Sequence, residues 1–178
     1  MRINLKELPQ GKKVIHTILK KEDLNIADYE KEFVLLGDVD VEAMFIKSKS
    51  TVNIKITAKY TLRLQCSRCL TWFDREYREQ ESFVFKEGKE KIQKEKSLSD
   101  EDIYTYFYMT EEVDLSPLIR DMIVLSVPMK PLCKEDCKGL CPVCGANWNE
   151  ETCEHMGMTT KPTTKLSKLL ELKDKLYK

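Results

Sequence analysis

VNIKITAKYTLRLQC, residues 52–66, is the stretch whose reading decides the fold. Val52, Ile54, Ile56, Ala58, Tyr60, Leu62, Leu64 and Cys66 alternate without a break with Asn53, Lys55, Thr57, Lys59, Thr61, Arg63 and Gln65. Successive side chains on an extended backbone point to opposite faces, so strict period two over this length describes a long strand with one buried face. It carries Cys66 to the core side. Upstream, Val39, Val41, Ala43 and Phe45 alternate in the same way before a polar turn near Ser48. A hairpin about that turn places Val41 opposite Ile56 and Phe45 opposite Val52, and on the other face Glu42 opposite Lys55 and Asp38 opposite Lys59. The cations Lys55 and Lys59 then read as cross-strand partners of acids more readily than as an RNA-binding stripe, and Arg63 is left over.

Working outward, LTWFDREYREQESFVFK, residues 70–86, reads as further strand, with Trp72, Phe73, Tyr77, Phe83 and Phe85 mostly in the core. Ile3 and Leu5 alternate with polar neighbours, and VIHTIL, residues 14–19, reads as a short strand. Its His16, flanked by Ile15 and Thr17, reads as a packing or surface residue and not a ligand. Residues 88–102, GKEKIQKEKSLSDED, are charged and poor in apolar side chains, the composition of a mobile loop. IYTYFYM resumes strand character. In DLSPLIRDMIVLSVP, residues 114–128, Ser116 reads as a cap and Pro117 as the first helical position. Leu115, Leu118, Ile119, Met122, Ile123 and Val127 follow helical spacing until Pro128 stops it, and their apolar face should cover the open side of the sheet. Leu166, Leu169, Leu170 and Leu176 predict a terminal amphipathic helix ringed by Lys161, Lys165, Lys168, Lys173, Lys175 and Lys178.

All seven cysteines fall in two places: CSRC, with Cys66 and Cys69, and PLCKEDCKGLCPVCGANWNEETCEH, residues 131–155. With His155 they make eight soft or borderline ligands, enough for two tetrahedral sites of four. Cys141 and Cys144 in CPVCG have the spacing of a metal knuckle, where Pro142 presets one backbone angle and Gly145 tolerates positive φ. Cys153 and His155 follow closely enough to complete that site. By elimination Cys66, Cys69, Cys133 and Cys137 hold the other ion, clamping the helix exit to the sheet turn and closing a long loop. Joining Cys133 or Cys137 to the knuckle also satisfies valence. Rubredoxin-like iron uses similar knuckles, although a histidine ligand favours zinc. An odd cysteine count and an amino terminus without an apolar signal region argue against disulfides and for a reducing, cytoplasmic setting. A thiol-redox enzyme would place one CxxC at a strand-to-helix turn.

A chain of 178 residues holds one ordinary core, or a core with a small satellite. Thirty basic residues balance thirty acidic ones, so a nucleic-acid site must be a local patch, and no apolar run is long enough to span a bilayer. The expected architecture is α+β: residues 1–130 form an antiparallel sheet or partial barrel covered by a helix, and residues 131–178 a zinc-binding knob with a basic terminal helix.

CSRCL and DLSPLIRDMIVLSVPMKPLCKEDCKGLCPVCGANWN resemble the YceD family of bacterial large ribosomal RNA subunit accumulation proteins. Residues 1–30 contribute little to the likeness. The resemblance implies ribosome biogenesis, supporting accumulation of large-subunit rRNA, with no enzymatic activity. It carries over Cys66, Cys69, Cys133, Cys137, Cys141, Cys144 and Cys153. Similar members often end the motif in Cys-x-Cys; here Cys153-Glu154-His155 stands, and imidazole can replace thiolate on zinc.

Three functional readings compete. The first is a non-catalytic assembly factor that binds large-subunit rRNA or early ribosomal proteins, with Lys130, Lys134, Lys138 and the tail lysines facing phosphate. The second is a zinc-stabilised protein-interaction module without RNA contact. The third, a metal-dependent hydrolase, needs an open metal position and a base beside it, whereas both ligand sets close with four protein donors. No small-molecule substrate is expected.

Overall fold

The computed structural model describes residues 1–29, 32–49, 51–89, 104–109 and 112–156. In chain order the strands are β1 (Arg2–Asn4), β2 (Gly11–Leu19), β3 (Phe33–Ser48), β4 (Thr51–Gln65), β5 (Trp72–Glu87), β6 (Thr105–Tyr108) and β7 (Glu112–Asp114), followed by a helix, Ser116–Ser126. Unbroken alternation makes β4 the centre of a five-stranded sheet ordered β2-β3-β4-β5-β6, while β1 and β7 pair separately. β2 and β6 are its edges, so among the described strands the sheet is open. It is also mixed: β6 runs parallel to β5, from Val84 opposite Thr105 to Glu87 opposite Tyr108. The wholly antiparallel expectation fails there because strand character alone carries no direction. Parallel neighbours need a crossover of a dozen or more residues, and the separation of Glu87 from Thr105 allows one. Most of the charged stretch read as a loop, its residues 90–102, lies outside the described residues, as does the terminal helix read over Leu166–Leu176.

The β3–β4 hairpin keeps the expected faces but not the expected partners. Phe45 faces Ile54, Val41 faces Ala58 and Asp40 faces Lys59, two residues away from the register read from the sequence. The turn centres one residue later, with Lys49 at φ 49°. Moving a hairpin turn by one residue shifts the pairing by two, which leaves every side chain on its own face. Asp38 falls in the irregularity between Leu36 and Asp40, where Gly37 has φ 74° and the strand bulges. Lys59 Nζ therefore meets Asp40 Oδ2 at 3.9 Å, Lys55 stands opposite Met44, and Glu42 Oε2 lies 3.6 Å from Nε2 of the exposed His16. Arg63, expected to be unpaired, makes a two-point contact with Asp74 of β5, Nε to Oδ1 at 2.7 Å and Nη2 to Oδ2 at 2.8 Å. Its partner sits on β5, whose register the alternation of β3 and β4 does not fix.

Val52, Ile54, Ile56, Ala58, Tyr60, Leu62 and Leu64 of β4 are all buried, and β3 answers with Phe33, Leu35, Val39, Val41, Ala43 and Phe45. Phe83 and Phe85 are also buried, Phe73 and Tyr77 pack partly against the core, and Trp72 is exposed. Leu115, Ile119, Met122 and Ile123 place one face of the helix in the same core. Full burial of such a side chain stabilises by about 1.5–3 kcal/mol. Tyr60 Oη donates to Ser126 Oγ at 2.7 Å, tying the helix end to β4. Val127 is extended, as a residue before proline prefers.

Ser116 does not cap this helix. Its N–H donates to Asp114 Oδ1 at 2.9 Å, so the carboxylate serves the helix start. That bond, against the opposing effect of burial and with help from the Met1 amino group, brings the Asp114 pKa down to about 2. A depressed carboxylate pKa stabilises the fold above the ordinary carboxylate range, and the contribution is lost as pH falls towards the depressed value. Asp114→Ala should cost about 0.5–2 kcal/mol in urea unfolding at neutral pH, and the difference from the parent should shrink in acid.

No helix among the described residues is long and apolar enough to cross a membrane. The chain divides into two compact units, Met1–Ser67 with Thr71–Cys133, and Arg68–Leu70 with the chain from Lys134 onward.

Candidate metal centres

CSRC forms the turn from β4 to β5. Cys66 N–H donates to Thr71 O at 3.0 Å, and Leu70 adopts φ 58° to complete the reversal. Ser67 N–H reaches Pro131 O at 2.8 Å and Arg75 Nη2 reaches Leu132 O at 2.8 Å, so the segment leaving the helix is held beside this turn. Arg68 Nη1 donates to Cys137 O at 2.9 Å, and Leu140 N–H donates to Arg68 O at 3.2 Å. The ligand atoms of Cys66, Cys69, Cys133 and Cys137 all lie within 4.8 Å of one another.

Gly139 makes that approach possible. At φ 78°, a Cβ on it would stand 3.1 Å from Arg68 O and 3.4 Å from Arg68 Cβ, so a side chain would meet both left-handed strain and a backbone atom. Gly139→Ala should cost at least about 1–2 kcal/mol, read as a lower melting temperature of the metal-loaded chain.

The second set is local. Gly145 N–H donates to Cys141 O at 2.9 Å and Cys141 N–H to Ala146 O at 2.8 Å, with Gly145 at φ 77°, which curls CPVCG into a knuckle. Leu140 bridges to Asn147, and Trp148 N–H donates to Gly139 O at 3.0 Å, so the chain folds back across it. The ligand atoms of Cys141, Cys144, Cys153 and His155 also lie within 4.8 Å of one another.

Three observations test whether these residues suit a metal. None of the seven cysteines is in a disulfide, so neither set is bridged. Tetrahedral zinc at about 2.3 Å from each sulfur sets ligands about 3.8 Å apart, a spacing compatible with both clusters. His155 Nδ1 is buried and has no hydrogen-bond partner among the described residues, which leaves a polar atom to be satisfied. Both sets could hold a metal ion.

Donors around the sulfurs favour thiolate. Val143 and Cys144 N–H point at Cys141 Sγ at 3.4 and 3.5 Å. Burial opposes ionisation of Cys141, but these two amides with the Cys144 and Cys153 thiols outweigh it and bring its pKa down to about 6. At Cys144 the Ala146 amide favours the thiolate, yet hydrogen bonding to Cys141 and Cys153, with burial, pushes the thiol up. Two further donors escaped the sequence reading: Trp148 Nε1 reaches Cys153 Sγ at 3.2 Å, and Asn149 Nδ2 reaches Cys137 Sγ at 3.3 Å. Asn149 is oriented by accepting Lys138 N–H on Oδ1 at 3.0 Å. Such outer contacts set ligand orientation and basicity. The signal was present as ANWN between knuckle and Cys153, but nothing in spacing distinguishes a donor to sulfur from a turn residue.

A sheet body carrying two groups of four sulfur and imidazole side chains that could hold metal defines the class of protein. The chain belongs to the YceD family: the family described as Large ribosomal RNA subunit accumulation protein YceD matches residues 54–173, a span that contains all eight candidate ligands. The chain is 51% identical over 39 residues to the Zea mays protein named Large ribosomal RNA subunit accumulation protein YCED homolog 1, chloroplastic, and 41% identical over 44 residues to its namesake in Arabidopsis thaliana. These matches cover 22% and 25% of this chain but only 13% and 14% of the plant proteins. An uncharacterised protein of Mycobacterium tuberculosis is 49% identical over 35 residues, 20% of this chain and 17% of its own length. No solved structure matches the chain.

Proposed function

We propose that this protein is a non-catalytic, cytoplasmic ribosome-biogenesis factor that supports accumulation of large-subunit rRNA by binding that RNA. The family match across residues 54–173 carries this reading. Two zinc ions, one on Cys66, Cys69, Cys133 and Cys137 and one on Cys141, Cys144, Cys153 and His155, would act as structural cross-links. With four protein donors on each, neither ion keeps a position for substrate or attacking water, so the ions rigidify the chain and do no chemistry. The sheet body, residues 1–130, and the cysteine-rich segment, residues 131–178, are the two parts of this proposal.

Phosphate contact falls to lysines. Lys130, Lys134 and Lys138 are exposed around the ligands, but so are Glu135, Asp136, Glu150 and Glu151, which makes this a set of point contacts and not a broad basic field. Lys161, Lys165, Lys168, Lys173, Lys175 and Lys178 add six further cations near the end of the sequence. Each phosphate neutralised steepens the logarithmic salt dependence of binding by about 0.7–0.9. Fluorescence anisotropy with a large-subunit rRNA fragment should therefore show affinity falling steeply between low and physiological salt, and Lys134→Glu with Lys138→Glu should flatten the slope. Absence of RNA binding, together with salt-insensitive capture of a ribosomal protein, would replace this reading with that of a protein-interaction module.

A further inference from the structure

On β5 the side chains on the same face as the core run Tyr77, Glu79, Glu81, Phe83, Phe85, with Phe83 and Phe85 buried, Glu79 half-buried and Glu81 exposed at the sheet's uncovered part. Glu79 and Glu81 stand opposite Ala58 and Ile56 of β4, both fully buried. Two carboxylates thus occupy places where the alternation calls for apolar side chains. As next neighbours on one face they are about 7 Å apart along the strand and repel one another. Among the described residues no lysine or arginine pairs with either. Both carboxylates remain open to solvent and to a ligand on this face.

Both glutamates line a cleft of about 310 Å³ beside the helix, with Phe83, Tyr104 and Tyr106 on one side. Leu118, Met122 and Leu125 of the helix form the other, and Leu125 is 84% exposed. Phe83 and Tyr106 meet edge to face with centroids 6.0 Å apart, and Tyr104 and Tyr106 are both substantially exposed. Asp121 also lines the cleft, but its Oδ1 already accepts from Arg120 at 2.8 Å. Leu125 and Ser126 end the helix, so the negative end of its dipole lies at the same cleft.

Glu79, Glu81 and the helix C-terminus favour positive charge in this cleft, and its walls favour an apolar stem with a flat head. We propose that it is a docking site for an arginine side chain presented by a protein partner. The methylenes run along Leu118, Met122 and Leu125, while the guanidinium is shared between Glu79 and Glu81 and stacks on the tyrosine faces. Arginine fits better than lysine because its planar fork can satisfy two carboxylates and lie flat on a ring. Phosphate is repelled by the same groups, so RNA is not the occupant. The proposal is independent of the RNA-binding reading and survives its failure.

The test uses the full, metal-loaded chain and a short synthetic peptide with one central arginine, flanked by glycines and blocked at both ends. NMR titration should shift the resonances of Glu79, Glu81, Tyr104, Tyr106 and Leu125. The same peptide with citrulline should bind about tenfold more weakly, as should the original peptide to the Glu79→Gln, Glu81→Gln variant. Because two repelling carboxylates are removed, that variant should melt at or above the parent temperature. Shifts confined to other surfaces, equal binding of citrulline, or unchanged affinity in the variant would each overturn the proposal. So would a lower melting temperature in the variant, since the glutamates would then have partners within the chain.

Discussion

Serine at both Cys141 and Cys144 should remove one metal ion per chain and unfold the segment around Gly139–Met156, leaving the five-stranded sheet folded. The knuckle, Cys153 and His155 lie within fifteen residues of sequence, and the backbone there is held by few bonds apart from those around the sulfurs, such as Gly145 to Cys141 O and Cys141 to Ala146 O. Zinc in a site of this kind contributes on the order of 10 kcal/mol of local folding free energy, more than so short a segment gains from packing. Cys66→Ser with Cys69→Ser acts differently. Cys66 is fully buried at the end of the central strand, and its set closes the loop between Cys69 and Cys133, a constraint of about 4 kcal/mol by chain entropy alone. That variant should melt as a whole at a lower temperature, with amide exchange accelerated in β3, β4 and β5. Hydrogen exchange with metal analysis separates the two cases, and identical global unfolding in both variants would contradict the division.

Ile119→Ala should have the next largest effect. Ile119 is fully buried in the middle of the helix face that shares the core with β3 and β4. Truncation leaves a cavity and costs about 2–5 kcal/mol, a large share of the 5–15 kcal/mol that holds a typical domain together. Leu125→Ala, on the exposed lip of the same helix, should change stability by less than about 0.5 kcal/mol. Urea unfolding of the two variants measures how far the helix serves as the cover of the sheet. Equal losses would mean that the helix packs by another face.

What the chain disclosed as a sequence was periodicity and ligand chemistry. Alternation from Val52 to Cys66 marks β4 because a half-buried strand leaves no other pattern, and helical spacing from Leu115 to Val127 marks the covering helix. Register was less legible: the faces of β3 and β4 follow from period two, but partners depend on where the turn centres, and a Lys49 turn is invisible in the alternation. The Gly37 bulge moved Asp38 out of the ladder for a similar reason. Arg63 and Asp74 could be paired only after β5 was aligned, and the parallel direction of β6 is a property of chain path that no local pattern encodes. At the ligand clusters, counting in fours separated two sets, and the structure brings those same side chains into two groups. Trp148 and Asn149 show what counting misses, because donors to sulfur carry no spacing rule.

Elemental analysis of the full chain, purified without added metal, tests the central claim most directly. The account predicts two zinc ions per folded chain, one of them lost on replacing Cys141 and Cys144. A monomer that contains no metal yet shows the same cooperative unfolding and the same protected sheet would contradict it.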